Sequence, residues 1–134
     1  MTGELLIAIV DDDDSAREAA VDLVRALGFA AVGFSSGTAL LNSEDLRTMD
    51  CLIADVRMPD MGGFELHLAL AGSDARIPTI LMTAYPDERI RKRALAAGVR
   101  CFIEKPLEAD HLLACIRSAV AGPGASEHRG PPGS

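Results

Sequence analysis

The chain has 134 residues, 49% of them hydrophobic and 25% charged, which is enough for one domain with a packed core and too apolar for a disordered chain. A net charge of −7 with no evident basic face excludes a duplex-binding module, and an aromatic content of 4% without tryptophan excludes a base-stacking platform. The core must therefore be aliphatic.

Leu5 to Val10 is a short apolar run that stops at four consecutive aspartates, the pattern of a strand covered on both faces. From Ser15 the period changes to three and four (Ala16, Ala19, Ala20, Leu23, Val24, Leu27), which predicts a helix with Asp14 as N-cap and Gly28 as stop. Phe29 to Phe34 predicts a second strand, followed by a short helix around Thr38 to Asn42. Cys51 to Ala54 is a third buried strand and again ends on an aspartate, Asp55. Met58 to Gly63 is dense in turn formers, and a helix follows through Phe64, Leu66, Leu68 and Leu70. Pro78 to Thr83 predicts a fourth strand, with proline tolerated at its first residue. A fourth helix spans Asp87 to Ala97 and is closed by Gly98; Val99 to Ile103 is a fifth strand and Glu108 to Val120 a fifth helix. Residues 122–134 are rich in Gly and Pro and carry no apolar period, so they are expected to form a flexible tail or linker stub beyond a domain at residues 1–121.

Strands alternating with helices at this spacing predict a parallel five-stranded sheet between two helix layers, an α/β three-layer sandwich. Ligands bind such sheets at the carboxyl ends of the strands. This sequence sends Asp11 and Asp12 there from the first strand, Asp55 from the third, Thr83 from the fourth and Lys105 from just beyond the fifth. Clustered carboxylates repel unless a cation joins them, and a hard divalent ion with oxygen ligands, Mg²⁺, answers that requirement. A metal and Lys105 would supply the positive charge a transferring phosphoryl group needs, and Thr83 can donate to one of its oxygens. Asp55 stands alone at its strand end and is the candidate nucleophile, with Asp11 and Asp12 as metal holders. Each residue alone has a plainer reading as a cap, a strand end or a solvated charge. Their coincidence on one sheet edge is what carries the functional reading.

The segments IVDDDDSAREAAVDLVRALGF, CLIADVRMPDMGGFEL, PTILMTAYPD and AAGVRCFIEKP resemble the receiver domain of two-component response regulators over residues 4 to 121. SSGTALL after the second strand resembles the FixJ and NarL type. The resemblance implies a flavodoxin-like (βα)5 fold with strand order 2-1-3-4-5. It implies a phosphoacceptor at Asp55, served by a sensor histidine kinase, a phosphotransfer protein or a small phosphodonor. Mg²⁺ would be held by Asp12, Asp55 and the backbone carbonyl of Arg57, with Asp11 acting through water, and Lys105 would contact a phosphoryl oxygen. Thr83 and Phe102 would be the switch pair, changing the surface of the fourth helix, fifth strand and fifth helix, through which a phosphorylated homodimer would form. Phe102 stands where the family more often has tyrosine, and Gly62 where it often has an acid. Arg57, Ala84 and Tyr85 sit where they would modulate the lifetime of the phosphorylated form.

A magnesium-dependent phosphatase with an aspartyl nucleophile is the competing reading, but such enzymes need a second acid where this chain has Arg57. A flavodoxin-type cofactor domain would need a Gly- or Ser/Thr-rich phosphate loop after the first strand, where four aspartates stand instead. The chain is read as a stoichiometric phosphoacceptor rather than a turnover enzyme. Arg89, Arg91, Lys92 and Arg93 read as a solvated helix face, or else a docking surface for an acidic partner. Cys51, Cys101 and Cys115 show no CxxC spacing and are expected as buried thiols in a reducing compartment. With no basic leader and no long apolar run, a cytoplasmic location is expected, with no membrane segment and no direct nucleic-acid contact. His67 and His111 are expected in packing or surface roles, and Met58, Met61 and Met82 in turns and core.

Overall fold

The computed structural model describes the backbone of residues 4–129 and the side chains of residues 4–121. Its elements in chain order are β1 (Leu6–Val10), α1 (Asp14–Ala26), β2 (Ala30–Phe34), α2 (Gly37–Leu41), a 3-10 turn (Leu46–Thr48), β3 (Cys51–Asp55), α3 (Gly63–Ala71), β4 (Thr79–Thr83), α4 (Glu88–Ala96), β5 (Cys101–Glu104) and α5 (Ala109–Arg129). The strands form one sheet in the order β2-β1-β3-β4-β5, and every pairing is parallel. This is the expected (βα)5 architecture and strand order.

The side-chain alternation of the strands divides the core in two. Ile7, Ile9, Cys51, Ile53, Ile80 and Met82 face one side, where Ala20 and Val24 of α1 and Leu112, Ile116 and Ala119 of α5 cover them. Ala8, Val10, Leu52, Ala54 and Leu81 face the other, beneath Leu40 of α2, Leu66 and Leu70 of α3 and Ala94 of α4. β3 and β4 are buried along their whole length, and β1 at all but its first residue. That is why these segments read as unbroken apolar runs. Each fully buried Ile or Leu stabilises the fold by about 2 kcal/mol relative to exposure.

Element boundaries differ from the sequence expectation where backbone donors are claimed by helix ends. The N-cap of α1 is Asp13, not Asp14: its extended backbone lets the carboxylate accept from the N–H groups of Ser15 and Ala16 at 2.9 and 3.2 Å. Asp14 is instead the first helical residue and pairs with Arg17 at 2.6 Å. Gly28 and Gly98 adopt left-handed φ values of 102° and 99°. They close α1 and α4 alike, with Gly28 N–H bonded to Arg25 O and Phe29 N–H to Val24 O, and Gly98 N–H to Leu95 O and Val99 N–H to Ala94 O. Phe29 and Val99 thereby spend their N–H groups on helix closure, so β2 begins at Ala30 and Val99 is left out of β5.

The last helix also differs. α5 runs to Arg129, past the Val120 end read from the sequence, and 130–134 lie outside the described residues. No helix among the described residues is long and apolar enough to cross a membrane.

Candidate functional site

Register decides what meets at the carboxyl edge. Val10 pairs with Ala54, Asp55 with Met82 and Thr83 with Glu104, so Asp11, Asp55, Thr83 and Lys105 leave neighbouring strands at one level. The carboxylates of Asp11, Asp12 and Asp55 each offer an oxygen, and these oxygens lie within 4.8 Å of one another. Lys105 joins them: its Nζ donates to Asp11 Oδ2 at 2.9 Å and to Asp55 Oδ2 at 2.7 Å. The peptide from Lys105 to Pro106 is cis.

Asp11 is fully buried and Asp55 nearly so, whereas Asp12 is exposed at the mouth. Asp11 Oδ1 accepts the N–H of Asp13 at 3.0 Å and Asp55 Oδ1 that of Arg57 at 2.9 Å, so each buried carboxylate is held at both oxygens. Partial burial pulls the Lys105 ammonium down. The hydrogen bonds to Asp55 and Asp11, with their charges, outweigh that pull and hold its pKa above the ordinary lysine value. Three carboxylates and one ammonium leave a net formal charge of −2, which one divalent cation balances. The oxygen-only donor set, with an exposed Asp12 where water ligands can be kept, fits Mg²⁺.

Around this centre the other expected residues are gathered. Thr83 is 1% exposed, and its Oγ1 accepts the Tyr85 N–H at 3.0 Å while its hydroxyl donates to the Tyr85 carbonyl at 3.3 Å. Leu81 is in register with Phe102, so Thr83, two residues on from Leu81, shares the α4 side of the sheet with Phe102, which packs half-buried against that core. The Arg57 guanidinium lies 5.3 Å from the centroid of the Tyr85 ring, spanning from the loop after β3 to the loop after β4. Ala84 is exposed and lines a groove of about 490 Å³ with Ala16, Ala19, Leu23, Lys105 and Leu107. The turn after β3 comes close to the strand it leaves: a Cβ on Gly63 would meet the Asp55 carbonyl at 2.7 Å, and one on Gly62 would collide with the Val56 carbonyl. Gly62 in the place of an acid therefore bears on the turn, at the N-cap of α3.

A family model of the response regulator receiver domain matches residues 7–117. The chain is a response regulator receiver domain. Among relatives, the response regulator protein TmoT of Ectopseudomonas mendocina is 40% identical over 117 residues, covering 87% of this chain and 53% of its own. The transcriptional regulatory protein FixJ of Bradyrhizobium diazoefficiens is 32% identical over 120 residues, covering 90% and 58%. The crystal structure of FixJ-N superposes with a TM-score of 0.80 at 33% identity, covering 90% of this chain and 96% of that one. The receiver domain described here spans about half the length of the curated relatives it matches.

One supporting residue of this receiver was not anticipated. Arg17 donates from Nη1 to the Asp11 carbonyl at 2.9 Å and from Nη2 to Asp14, tying α1 to the strand end that carries the acids. The i, i+3 spacing of Asp14 and Arg17 announces their pairing, but the reach to Asp11 depends on how α1 lies on the sheet. His67 is buried, with Nδ1 3.0 Å from Thr79 Oγ1 and Nε2 2.9 Å from the Ala97 carbonyl, so it fastens α3 to β4 and to the C-terminal end of α4. That is the packing role expected of it. Of the basic run, Arg91 pairs with Glu88 at 3.0 Å and Arg93 lies over the Phe64 ring at 5.4 Å.

Proposed function

We propose that this receiver accepts a phosphoryl group on Asp55 and uses it to change the surface of α4, β5 and α5. One observation carries the reading: Lys105 Nζ bridges Asp11 and Asp55 at hydrogen-bond distance, with Asp12 alongside. In the transfer a carboxylate oxygen of Asp55 forms the new O–P bond. The bond from phosphorus to the donor imidazole of a histidine kinase or phosphotransfer protein, or to the leaving oxygen of a small acyl phosphate, breaks and its electron pair leaves with the donor. The Lys105 and Arg57 N–H bonds fix the carboxylate plane, and Lys105 neutralises charge on a phosphoryl oxygen. Asp12, Asp55 and the Arg57 carbonyl would hold Mg²⁺, with Asp11 acting through water; the ion supplies further neutralisation of the phosphoryl oxygens.

Switching follows from competing hydrogen bonds. Thr83 leaves neutral backbone partners at Tyr85, a loss of about 1 kcal/mol, for a charge-assisted bond to the phosphoryl group that is roughly twice as strong. Phe102, on the same face, moves inward as Thr83 moves away, and the α4–β5–α5 surface follows. That surface carries Arg89, Arg91 and Lys92 on α4 and Glu104, Glu108 and Asp110 on its other side, a distribution suited to a two-fold dimer of phosphorylated copies. The apolar groove beside Lys105 is the surface we assign to the kinase. Ala19→Glu there should abolish labelling by a kinase and spare labelling by acetyl phosphate.

The domain is a stoichiometric acceptor, active in the cytoplasm. With longer transcriptional regulators among its relatives, it would control transcription through an attached output domain, with residues 122–134 as connecting segment. Intact-mass measurement after incubation with acetyl phosphate and Mg²⁺ tests the core of this: the native chain gains one phosphoryl group and Asp55→Asn gains none. Equal labelling of the two would end the assignment. Sustained hydrolysis of phosphomonoesters would favour the phosphatase reading.

A further inference from the structure

The three site carboxylates are not held alike. Asp11 and Asp55 each accept hydrogen bonds at both oxygens, from Lys105 and from the N–H groups of Asp13 and Arg57. Asp12 stands exposed at the mouth, and among the described residues no donor fixes its carboxylate. A side chain left loose in this way loses rotamer freedom when it meets an ion, so its aim depends on the backbone that carries it.

That backbone is clasped on both sides of Asp12 by one residue. Arg17 Nη1 donates to the Asp11 carbonyl at 2.9 Å, and the Arg17 backbone N–H donates to the Asp13 carbonyl at 2.9 Å. The Asp11 carbonyl lies in the same planar peptide unit as the Asp12 N–H and Cα, so holding that oxygen fixes the plane from which Asp12 projects. The unit before it is anchored separately, by the Asp11 N–H on the Phe34 carbonyl at 3.1 Å. The reach of Arg17 is built into the fold: its side chain is 18% exposed and its stem lies against Gly33 of β2, where a Cβ would meet Cγ at 3.1 Å and Cδ at 3.2 Å. Asp14, the partner of Nη2, is 81% exposed, so that ion pair contributes little and the bond to the Asp11 carbonyl is the one that bears on the site.

We infer that Arg17 is a positioning residue for Mg²⁺, which aims the Asp12 carboxylate at the ion by holding the Asp11–Asp12 peptide. This rests on the reading of the acidic centre as a Mg²⁺ site. Charge and orientation here have opposite signs. A guanidinium beside three aspartates repels a divalent cation, so on charge alone removing Arg17 tightens Mg²⁺ binding. Orientation demands the reverse, because loss of a residue that steadies a metal ligand lowers metal affinity about 10- to 100-fold.

The test is isothermal titration calorimetry of the whole chain with magnesium chloride, at a temperature where circular dichroism shows every variant folded. Arg17→Met keeps the stem and the backbone N–H but has no side-chain donor, and should raise the Kd about tenfold. Arg17→Lys restores one donor for the Asp11 carbonyl and should return the Kd to within about threefold of the native value. Asp14→Asn leaves the Nη1 bond in place and should stay within about twofold. Thermal melts in EDTA report any change of stability apart from the metal. An Arg17→Met variant that binds Mg²⁺ as tightly as the native chain, or more tightly, would overturn the inference. A loss in Arg17→Lys or Asp14→Asn as large as in Arg17→Met would do the same. Each of these results leaves the Mg²⁺ site itself standing, whereas a native chain that takes up no Mg²⁺ overturns both.

Discussion

Replacing Lys105 with methionine removes the one ammonium that the described residues bring to the acidic centre while keeping a similar side-chain length. Asp11 is fully buried and the Asp55 side chain is 12% exposed, so neither carboxylate can recover its lost partner from bulk water. Removing one member of a buried pair of this kind costs about 3 kcal/mol, which for a domain of this size lowers Tm by roughly 10 °C. The loss should appear in full when divalent ions are chelated. The formal charge of the centre becomes −3 instead of −2, so a divalent cation is held more tightly. One further charge about 5 Å from the ion, even at the dielectric of water, strengthens binding by about tenfold. Mg²⁺ at a hundredfold excess over its Kd then returns about 2.7 kcal/mol, most of what the substitution removed. Thermal melts by circular dichroism across a Mg²⁺ titration measure both effects. A variant that melts within 2 °C of the native chain in EDTA would refute the view that Lys105 neutralises the centre. So would a Mg²⁺ midpoint no lower than that of the native chain.

The same lysine gives a pH signature. Its folded pKa lies above the unfolded one, so its contribution is complete below the unfolded value and disappears as pH rises through the folded one. The stability gap between native chain and Lys105→Met should therefore be flat over roughly pH 6 to 9 and close only above the ordinary lysine range; urea titrations at stepped pH would show it, and a gap closing near neutrality contradicts it. His67→Ala leaves the Ala97 carbonyl without its donor and opens a cavity between α3 and α4, and should cost about 3 kcal/mol in denaturant unfolding. Arg57→Ala and Tyr85→Ala each dissolve the stack across the acceptor mouth, whose worth at an exposed site is about 0.5–1 kcal/mol, so the acyl phosphate should hydrolyse about two- to fivefold faster. Unchanged half-lives in both variants, followed by loss of the phosphorylated mass, would show that these side chains do not govern its lifetime.

Much of the fold was legible because its cues are local. β1, β3 and β4 read as buried strands since both their faces are covered, and Gly28 and Gly98 marked helix ends because a left-handed φ suits no other residue as well. The errors were local too. Four adjacent aspartates offer four possible caps, and only the direction in which the chain leaves β1 makes Asp13 the one whose carboxylate reaches the helix.

By itself the sequence determined that acids, a hydroxyl and a lysine would stand at strand ends, since residue order along alternating strands and helices dictates which side chains follow each strand. It could not determine how close they come. The 2.7 and 2.9 Å bonds of Lys105, the hold of Arg17 on the Asp11 carbonyl and the turning of Thr83 toward Tyr85 all depend on register, twist and helix placement. Those are settled by packing the whole chain, because contacts between residues far apart in sequence form only when both faces of the sheet are covered at once.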